Sequence, residues 1–496
     1  MVVAVEQFIL DPAHRGTLQR QLQEIVTNGI LSGRFRPGDR MPSSRGLARH
    51  LGISRITVTL AYTDLVASDY LSARGRSGYF VSESAPEPAP VPTRARSESR
   101  VDWSRALGQR FPASQVIARP EDWRRYRYPF IYGQTDARLF DQQNWRKSAL
   151  QALGTREFRS LTEDSYGRDD PFLVDQIIRH ILPRRGIAAD PSEVLITMGA
   201  QNALWILAQV LLTQRRTAVM EQPCYPALRE ILERSRCIAA EIPVDDGGLP
   251  PEAIPGDADV VFVTPSHQCP TSATMPIARR RALLERAERD DFLIVEDDYE
   301  PELASAGASA PALKSLDRGG RVAYIGSFAK SLFPGLRLGY VVAPEPLIRE
   351  LRTLRWLTIR SVPGHLQRAT AFFLAGGHHD AQVHRLARAF RERRTVAERA
   401  IAEHGLRIAG AGTFGGSSFW MRAPEGVASS ALARALRGRD VLIEPAGPFF
   451  GPGRDPETHY RLAYSSIASA DIPEGIARIA EAGGALAATA AAPVWP

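Results

Sequence analysis

The strongest constraint in this chain is a series of short, wholly apolar runs separated by helical stretches. Val194–Thr197 precedes a helix expected over Gln201–Leu212. Thr217–Met220, Val260–Val263, Phe292–Glu296, Val322–Ile325 and Gly339–Val342 then follow in order. A run of four or five residues with no polar alternation suits a strand covered on both faces, which predicts a largely parallel sheet between helices. Ligands of such sheets bind beyond the carboxyl ends of the strands, so the residues that follow each run matter most. They are Gly199-Ala200-Gln201-Asn202, Gln222-Pro-Cys-Tyr225-Pro226, Pro265-Ser-His-Gln-Cys-Pro-Thr271, Glu296-Asp297-Asp298-Tyr299 and Gly326-Ser327-Phe-Ala-Lys330, the last continuing to Arg337 and Tyr340.

Composition narrows the chemistry. Of 62 basic residues, three are lysine (Lys147, Lys314 and Lys330), so chemistry needing a side-chain primary amine has three candidates. Lys330 sits just past an apolar strand between small residues. Lys147, in a charged helical stretch, and Lys314, before a turn, read as exposed. The apolar fraction of 44% excludes a disordered chain. Three scattered cysteines argue against a disulfide scaffold or zinc ribbon and fit a reducing cytosol. His378-His379 and Cys224/Cys237 match no metal spacing. Ala203–Leu212, the best apolar run, is too short to span a membrane, and no signal peptide is read, so a cytoplasmic protein is expected.

A Pro-rich stretch, Ser84–Pro92, followed by the polar Thr93–Arg100, predicts an extended connection. The expected organisation is a head over 14–82, a linker over 83–122 and a body over 123–490, with Gly483–Pro496 as a helix end and frayed tail. Residues 1–82 hold ten Arg against six acidic residues, more than half of the chain's net charge of +7 in about a sixth of its length. Leu18, Leu22, Ile25, Val26 and Ile30 recur at helical spacing. Pro42-Ser43-Ser44-Arg45 opens a short helix that Gly52 ends. Ser54 caps a third helix, Arg55–Ala67, with Val58, Tyr62, Leu65 and Val66 inward. Tyr70-Leu71 and Gly78–Val81 flank a basic turn and read as a hairpin.

This plan is a winged helix-turn-helix, and Arg36–Val81 resembles the GntR-type DNA-binding domain. The resemblance implies a double-stranded DNA operator as partner. Ser54, Arg55, Thr57 and Thr59 would lie in the major groove, Arg45 on phosphate or a base edge, and Arg74, Arg76, Ser77 and Gly78 on backbone or minor groove. Such binding weakens as salt rises.

From about Tyr126 to Ala480, above all in GSFAKSLFPGLRLGY and VEDDYE, the chain resembles fold-type I pyridoxal-phosphate proteins of the aminotransferase superfamily. Joined to the head, it resembles the MocR subfamily of regulators. The fold class expected is therefore α/β, a winged helix-turn-helix plus an aminotransferase-like body with a mostly parallel sheet. The resemblance implies pyridoxal 5'-phosphate as cofactor, bound through Lys330. Asp297 would partner the ring nitrogen, with Glu296 and Asp298 alternating away from it. Tyr299 would reach the ring hydroxyl and Tyr225 would stack on the ring. The N–H groups of Ala200 and Gln201, Ser327, Arg337 and Tyr166 would serve the phosphate. Arg461 would hold the anionic end of an amino-compound effector, which displaces Lys330 to form an external aldimine. The family also implies a homodimer, possibly with swapped heads.

One departure stands out. Cys269 occupies the place of the asparagine that aminotransferases direct at the ring hydroxyl, leaving Tyr299, His267 or Gln268 for that contact. The segment His267–Pro276 resembles regulators of taurine and ectoine breakdown. Two alternatives stay open, an active aminotransferase with an appended head and a regulator whose body has lost its cofactor.

Overall fold

The computed structural model describes residues 2–86, 101–108, 120–164, 167–301, 311–410, 416–451, 453 and 457–490. The chain divides into two compact units, Met1–Arg110 and Phe111–Pro496. No helix among the described residues is long and apolar enough to cross a membrane.

In the first unit α1 (Leu18–Leu31), α2 (Ser44–Leu51) and α3 (Arg55–Ala67) precede a hairpin of β1 (Leu71–Ala73) and β2 (Tyr79–Val81). Ser43 and Ser54 cap α2 and α3 by accepting the N–H groups of Gly46 and Ile56, satisfying donors that a helix start leaves unpaired. Gly52 ends α2 at φ +66°, where a Cβ would be strained. Leu22, Val26, Leu47, Val58, Ala61, Tyr62 and Leu65 form the core. Val66, expected inward, is partly buried and packs against the edge of this core.

The second unit is built on a seven-stranded sheet. In chain order it comprises β3 (Val194–Thr197), α4 (Ala200–Leu211), β4 (Thr217–Gln222), α5 (Pro226–Arg234), β5 (Ile238–Pro243), β6 (Ala258–Val263), α6 (Ile277–Asp290), β7 (Leu293–Asp298), β8 (Val322–Ser327) and β9 (Gly339–Val342). The spatial order is β3-β9-β8-β7-β6-β4-β5. β9 is antiparallel to both its neighbours, and the other pairs are parallel. Every run expected as a strand is one. β5 escapes the apolar signal because it is an edge strand with exposed residues, and α4 begins one residue earlier than expected.

Register brings the functional ends together. Gly339 lies opposite both Thr197 and Ser327, and Asp298 opposite Gly326. A Cβ on Gly339 would lie 2.8 Å from the Gly326 carbonyl oxygen and 3.0 Å from Gly199 Cα, so glycine permits this convergence. After α7 (Glu345–Ile359), α8 (Gly364–Ala375) and α9 (His378–Glu403), a small antiparallel sheet forms from β10 (Arg407–Ile408), β11 (Ser418–Arg422), β12 (Glu444–Pro445) and β13 (His459–Ala463), in the order β10-β11-β13-β12. The last helix, α10, runs from Ile472 to Ala490.

Candidate functional site

The strand ends bring together a cluster of functional side chains that includes several buried carboxyls. Along β7 the side chains alternate. Glu296 accepts the N–H groups of Leu313 and Lys314, each at 2.8 Å. Asp298 accepts Arg185 Nε at 2.8 Å and the Tyr324 hydroxyl at 3.0 Å, and Arg185 Nη2 also donates to Ser266 Oγ. Asp297 faces the other way. Its Oδ1 is buried and has no hydrogen-bond partner among the described residues. Burial, and then the carboxyls of Asp298 and Glu221, push its pKa up to about 7 against the pull of Lys330. Glu221, at the end of β4, is likewise pushed up to about 7 by burial, although Thr264 Oγ1 donates to it at 2.5 Å.

These two carboxyls predict a pH effect. Their folded-state pKa lies above the unfolded value, so the folded chain holds more protons between about pH 4 and pH 7. Their contribution to stability is complete below that window and is lost as pH rises through it. The Tm of the cofactor-free protein should fall less steeply between pH 5 and pH 8 in Asp297→Asn than in the wild type. Equal slopes in scanning calorimetry would show that Asp297 does not titrate there.

Lys330 follows β8, its Nζ 4.0 Å from the ring centre of Tyr132. The same ring carries Arg461, whose Cζ lies 4.2 Å from its centre and 4.7 Å from that of Phe449. Arg461 is buried on β13 with Glu444 opposite it on β12, and its Nε donates to Glu444 Oε2 at 2.8 Å. The expected anion-binding guanidinium is thus already charge-compensated, and its Nη1 lies beside Cys269 Sγ, at 3.9 Å. Burial pushes the Cys269 thiol up to about 12, so it stays protonated.

Tyr299 stands edge-on to Tyr132 and to His267, at 6.3 and 6.0 Å between ring centres. Glu300 accepts Ser417 Oγ at 2.6 Å, and its other oxygen lies 3.7 Å from His267 Nε2. Burial lowers the His267 pKa and favours the neutral ring. Gln268 is spent on its own loop and on the end of β4, where it also donates to Glu221 Oε2. It donates to the carbonyls of Pro223 and Cys269 and accepts from the N–H and hydroxyl of Thr271. That removes it from the three candidates for a ring-hydroxyl contact. Tyr225 immediately precedes α5 and packs with Tyr299 against Cys269, Trp420 and Phe449.

At the far end Gly199, at φ +85°, turns the chain into α4, whose first N–H groups include Ala200 and Gln201. Arg337 lies beside them, its Nη2 3.4 Å from the Met198 carbonyl oxygen. Met198, Gln201, Asn202, Trp205, Ile231 and Arg337 line an open cavity of about 400 Å³. Ser327 ends β8 on the neighbouring strand, its Oγ accepting the Ala329 N–H at 3.2 Å.

Lys314, expected exposed, is not. Its ammonium lies 3.1 Å from Asp317, with little of the side chain accessible, because the turn after it folds the carboxylate back. Lys147 is exposed. Tyr166, the side chain of Arg76, and most of the connection around residues 87–100 and 109–119 lie outside the described residues.

In the first unit Arg45, Arg55 and Ser77 are exposed and Thr57 is half-buried. Arg55 Nε reaches Ser44 Oγ at 3.5 Å. The Thr59 hydroxyl donates to the Arg55 carbonyl, and Arg74 pairs with Glu83 at 3.1 Å. Gly78, at φ +99°, allows the return of the hairpin. No group of His, Cys, Asp and Glu able to hold a metal occurs among the described residues.

Sequence reasoning missed Tyr132, Glu221, Arg185 and Glu444. Glu444 becomes visible only through its register with Arg461, and Tyr132 through the fold that brings it under Lys330. Glu300 was within reach, since it closes the VEDDYE motif.

The family profile described as aminotransferase class I and II matches residues 134–479, and that of bacterial regulatory proteins, gntR family, matches 18–81. The chain is 58% identical over 482 residues to the HTH-type transcriptional regulator TauR of Rhodobacter capsulatus, covering 97% of this chain and 100% of that one. It is 31% identical over 504 residues to the probable rhizopine catabolism regulatory protein MocR of Rhizobium meliloti, covering 98% of each. Among solved structures, the α-aminoadipate aminotransferase LysN of Thermus thermophilus, complexed with N-(5'-phosphopyridoxyl)-L-leucine, superposes with a TM-score of 0.70. It is 26% identical and covers 78% of this chain and 100% of its own.

Proposed function

The chain belongs to the MocR subfamily of gntR-type regulators, in which a winged helix-turn-helix head is joined to an aminotransferase class I and II body, and on that premise we propose that it is a DNA-binding transcriptional regulator that senses an amino compound through pyridoxal 5'-phosphate. The observation that carries the cofactor reading is the buried Oδ1 of Asp297, which has no hydrogen-bond partner among the described residues, at the strand ends of a mostly parallel sheet. A carboxylate oxygen left without a donor costs free energy, and a protonated ring nitrogen supplies the donor. The residues present fit the cofactor.

When bound, pyridoxal phosphate supplies an aldehyde that condenses reversibly with amines. Lys330 is the amine that would hold it, and Asp297 would keep a proton on the ring nitrogen. Tyr299 would donate to the ring hydroxyl oxygen and Tyr225 would cover the ring. Ala200, Gln201, Ser327, Arg337 and Tyr166 would bind the phosphate. Arg461, steered by Glu444 and flanked by Tyr132 and Phe449, would receive the anionic end of the effector.

The proposed effector is a small ω-amino sulfonate or carboxylate, of the kind met in taurine or ectoine breakdown, and its exchange with Lys330 would shift the body between two states with different affinities for it. The boundaries 14–82, 83–122 and 123–490, a homodimer with its heads possibly exchanged, and a cytoplasmic location complete the reading. The regulator names of the relatives favour it over an aminotransferase with an appended head.

The test is a thermal-shift screen of ω-amino sulfonates and carboxylates on cofactor-loaded protein, with and without the genomic fragments it retains. At least one compound should raise Tm and alter retention of those fragments. Sustained release of keto product, with pyridoxamine phosphate accumulating, would make the protein an enzyme instead.

A further inference from the structure

The outward face of α3 is unusual for a water-exposed helix. Ile56 is 70% exposed and Leu60 is 47% exposed. They stand four residues apart and so share one face. Neither belongs to the core of the unit, which α3 meets through Val58, Ala61, Tyr62 and Leu65 on its other side. Between them and beyond, Thr59 and Thr63 give their hydroxyl protons to the helix, donating to the carbonyls of Arg55 and Thr59 at 2.9 Å each. Those protons are therefore committed, and the face offers apolar surface where a base-reading helix would be expected to offer donors.

The charge around this face identifies what covers it. From Arg40 to Thr63 the sequence has no acidic residue and four arginines, Arg40, Arg45, Arg49 and Arg55. Arg45, Arg49 and Arg55 are exposed. Asp64, one turn beyond Leu60, closes the stripe and takes hydrogen bonds from Gln19 and Gln23, while Arg55 stands at its N-terminal end; an apolar stripe with arginine at that end suits a polyanion that carries apolar groups between its phosphates. In the major groove that group is the C5-methyl of thymine, the apolar feature of the base edges there.

We propose that Ile56 and Leu60 read thymine methyl groups, so that this chain selects its operator partly by apolar contact. The inference rests on the DNA-binding reading of the head. It assigns the specificity of the N-terminal half of α3 to two residues with no hydrogen-bonding side chain. Arg55 and Arg45 then supply phosphate or guanine contacts at the flanks.

The experiment uses the full cofactor-loaded chain and a pool of randomised duplexes. The wild type should recover a site with one or two thymines per half-site that lose their preference in Ile56→Ala and Leu60→Ala. Both changes remove exposed surface and leave the core intact. In the recovered duplex, replacing each such thymine by uracil deletes only the methyl. The wild type should then bind about four-fold more weakly per methyl, the value of one buried carbon group, while the matching alanine variant shows no loss. A wild type that binds its duplex tightly yet is indifferent to uracil at every position overturns this proposal alone. So do variants that recover the wild-type site with undiminished affinity. A wild type that retains no duplex overturns the DNA-binding reading and this proposal with it.

Discussion

Lys330→Ala is expected to abolish the visible absorbance band of the cofactor-loaded protein and, with it, every response to an effector, while the head still retains DNA. The effect should be complete because neither other lysine is placed to substitute. The chain has two other lysines. Lys147 is exposed on a helix, and the Lys314 ammonium is held 3.1 Å from Asp317. Lys330 Nζ instead lies over the Tyr132 ring, which it shares with Arg461, and near the carboxyl of Asp297. Borohydride reduction followed by peptide mapping makes the test quantitative: one equivalent of cofactor should be fixed, on the peptide containing Lys330. A visible band that survives in Lys330→Ala, or label on either other lysine, would refute the assignment. A wild type that shows no band after loading would mean that the body has lost its cofactor.

Arg185→Ala should destabilise the body severely. Arg185 and Asp298 are both almost fully buried and are joined at 2.8 Å. Removing the guanidinium leaves Asp298 with the Tyr324 hydroxyl as its remaining side-chain donor among the described residues, beneath Asp297 and beside Glu296. Breaking a buried pair by deleting one member typically costs about 3–5 kcal/mol, since the remaining charge has lost both water and partner. The urea midpoint of the body should fall accordingly. Adding Asp298→Asn should recover part of the loss, because the side chain left behind is then neutral. A single variant within about 1 kcal/mol of wild type, below the cost of an unpaired buried charge, would mean that water reaches Asp298. The pair matters to the site because it anchors Asp298 on one face of β7, and strand alternation then puts Asp297 on the other.

The two units differ in how far they could be read in advance. Local rules govern the first. Ser43 and Ser54 cap their helices, Gly52 ends α2 at positive φ, and the apolar spacing of α1 and α3 builds the core. Each depends on residues within a turn or two. In the body the central strands were legible because a strand covered on both faces admits no polar residue. β5 was not, since an edge strand tolerates exposure, and the two-residue strands β10 and β12 are too short to carry a period.

By itself the sequence determined which chemistry is available: a scarce amine at Lys330, a carboxyl run after an apolar strand, and arginines gathered on a capped helix pair. It also determined the family, because motif order survives without coordinates. Only the tertiary structure decided the electrostatic state of these groups. It leaves Asp297 Oδ1 without a partner among the described residues, gives Arg461 its compensating Glu444, ties Lys314 to Asp317 and sets Tyr132 beneath Lys330. The physical reason is that charge and hydrogen bonding in a buried site depend on neighbours far away in the chain, brought there by strand register and burial, which no local pattern encodes.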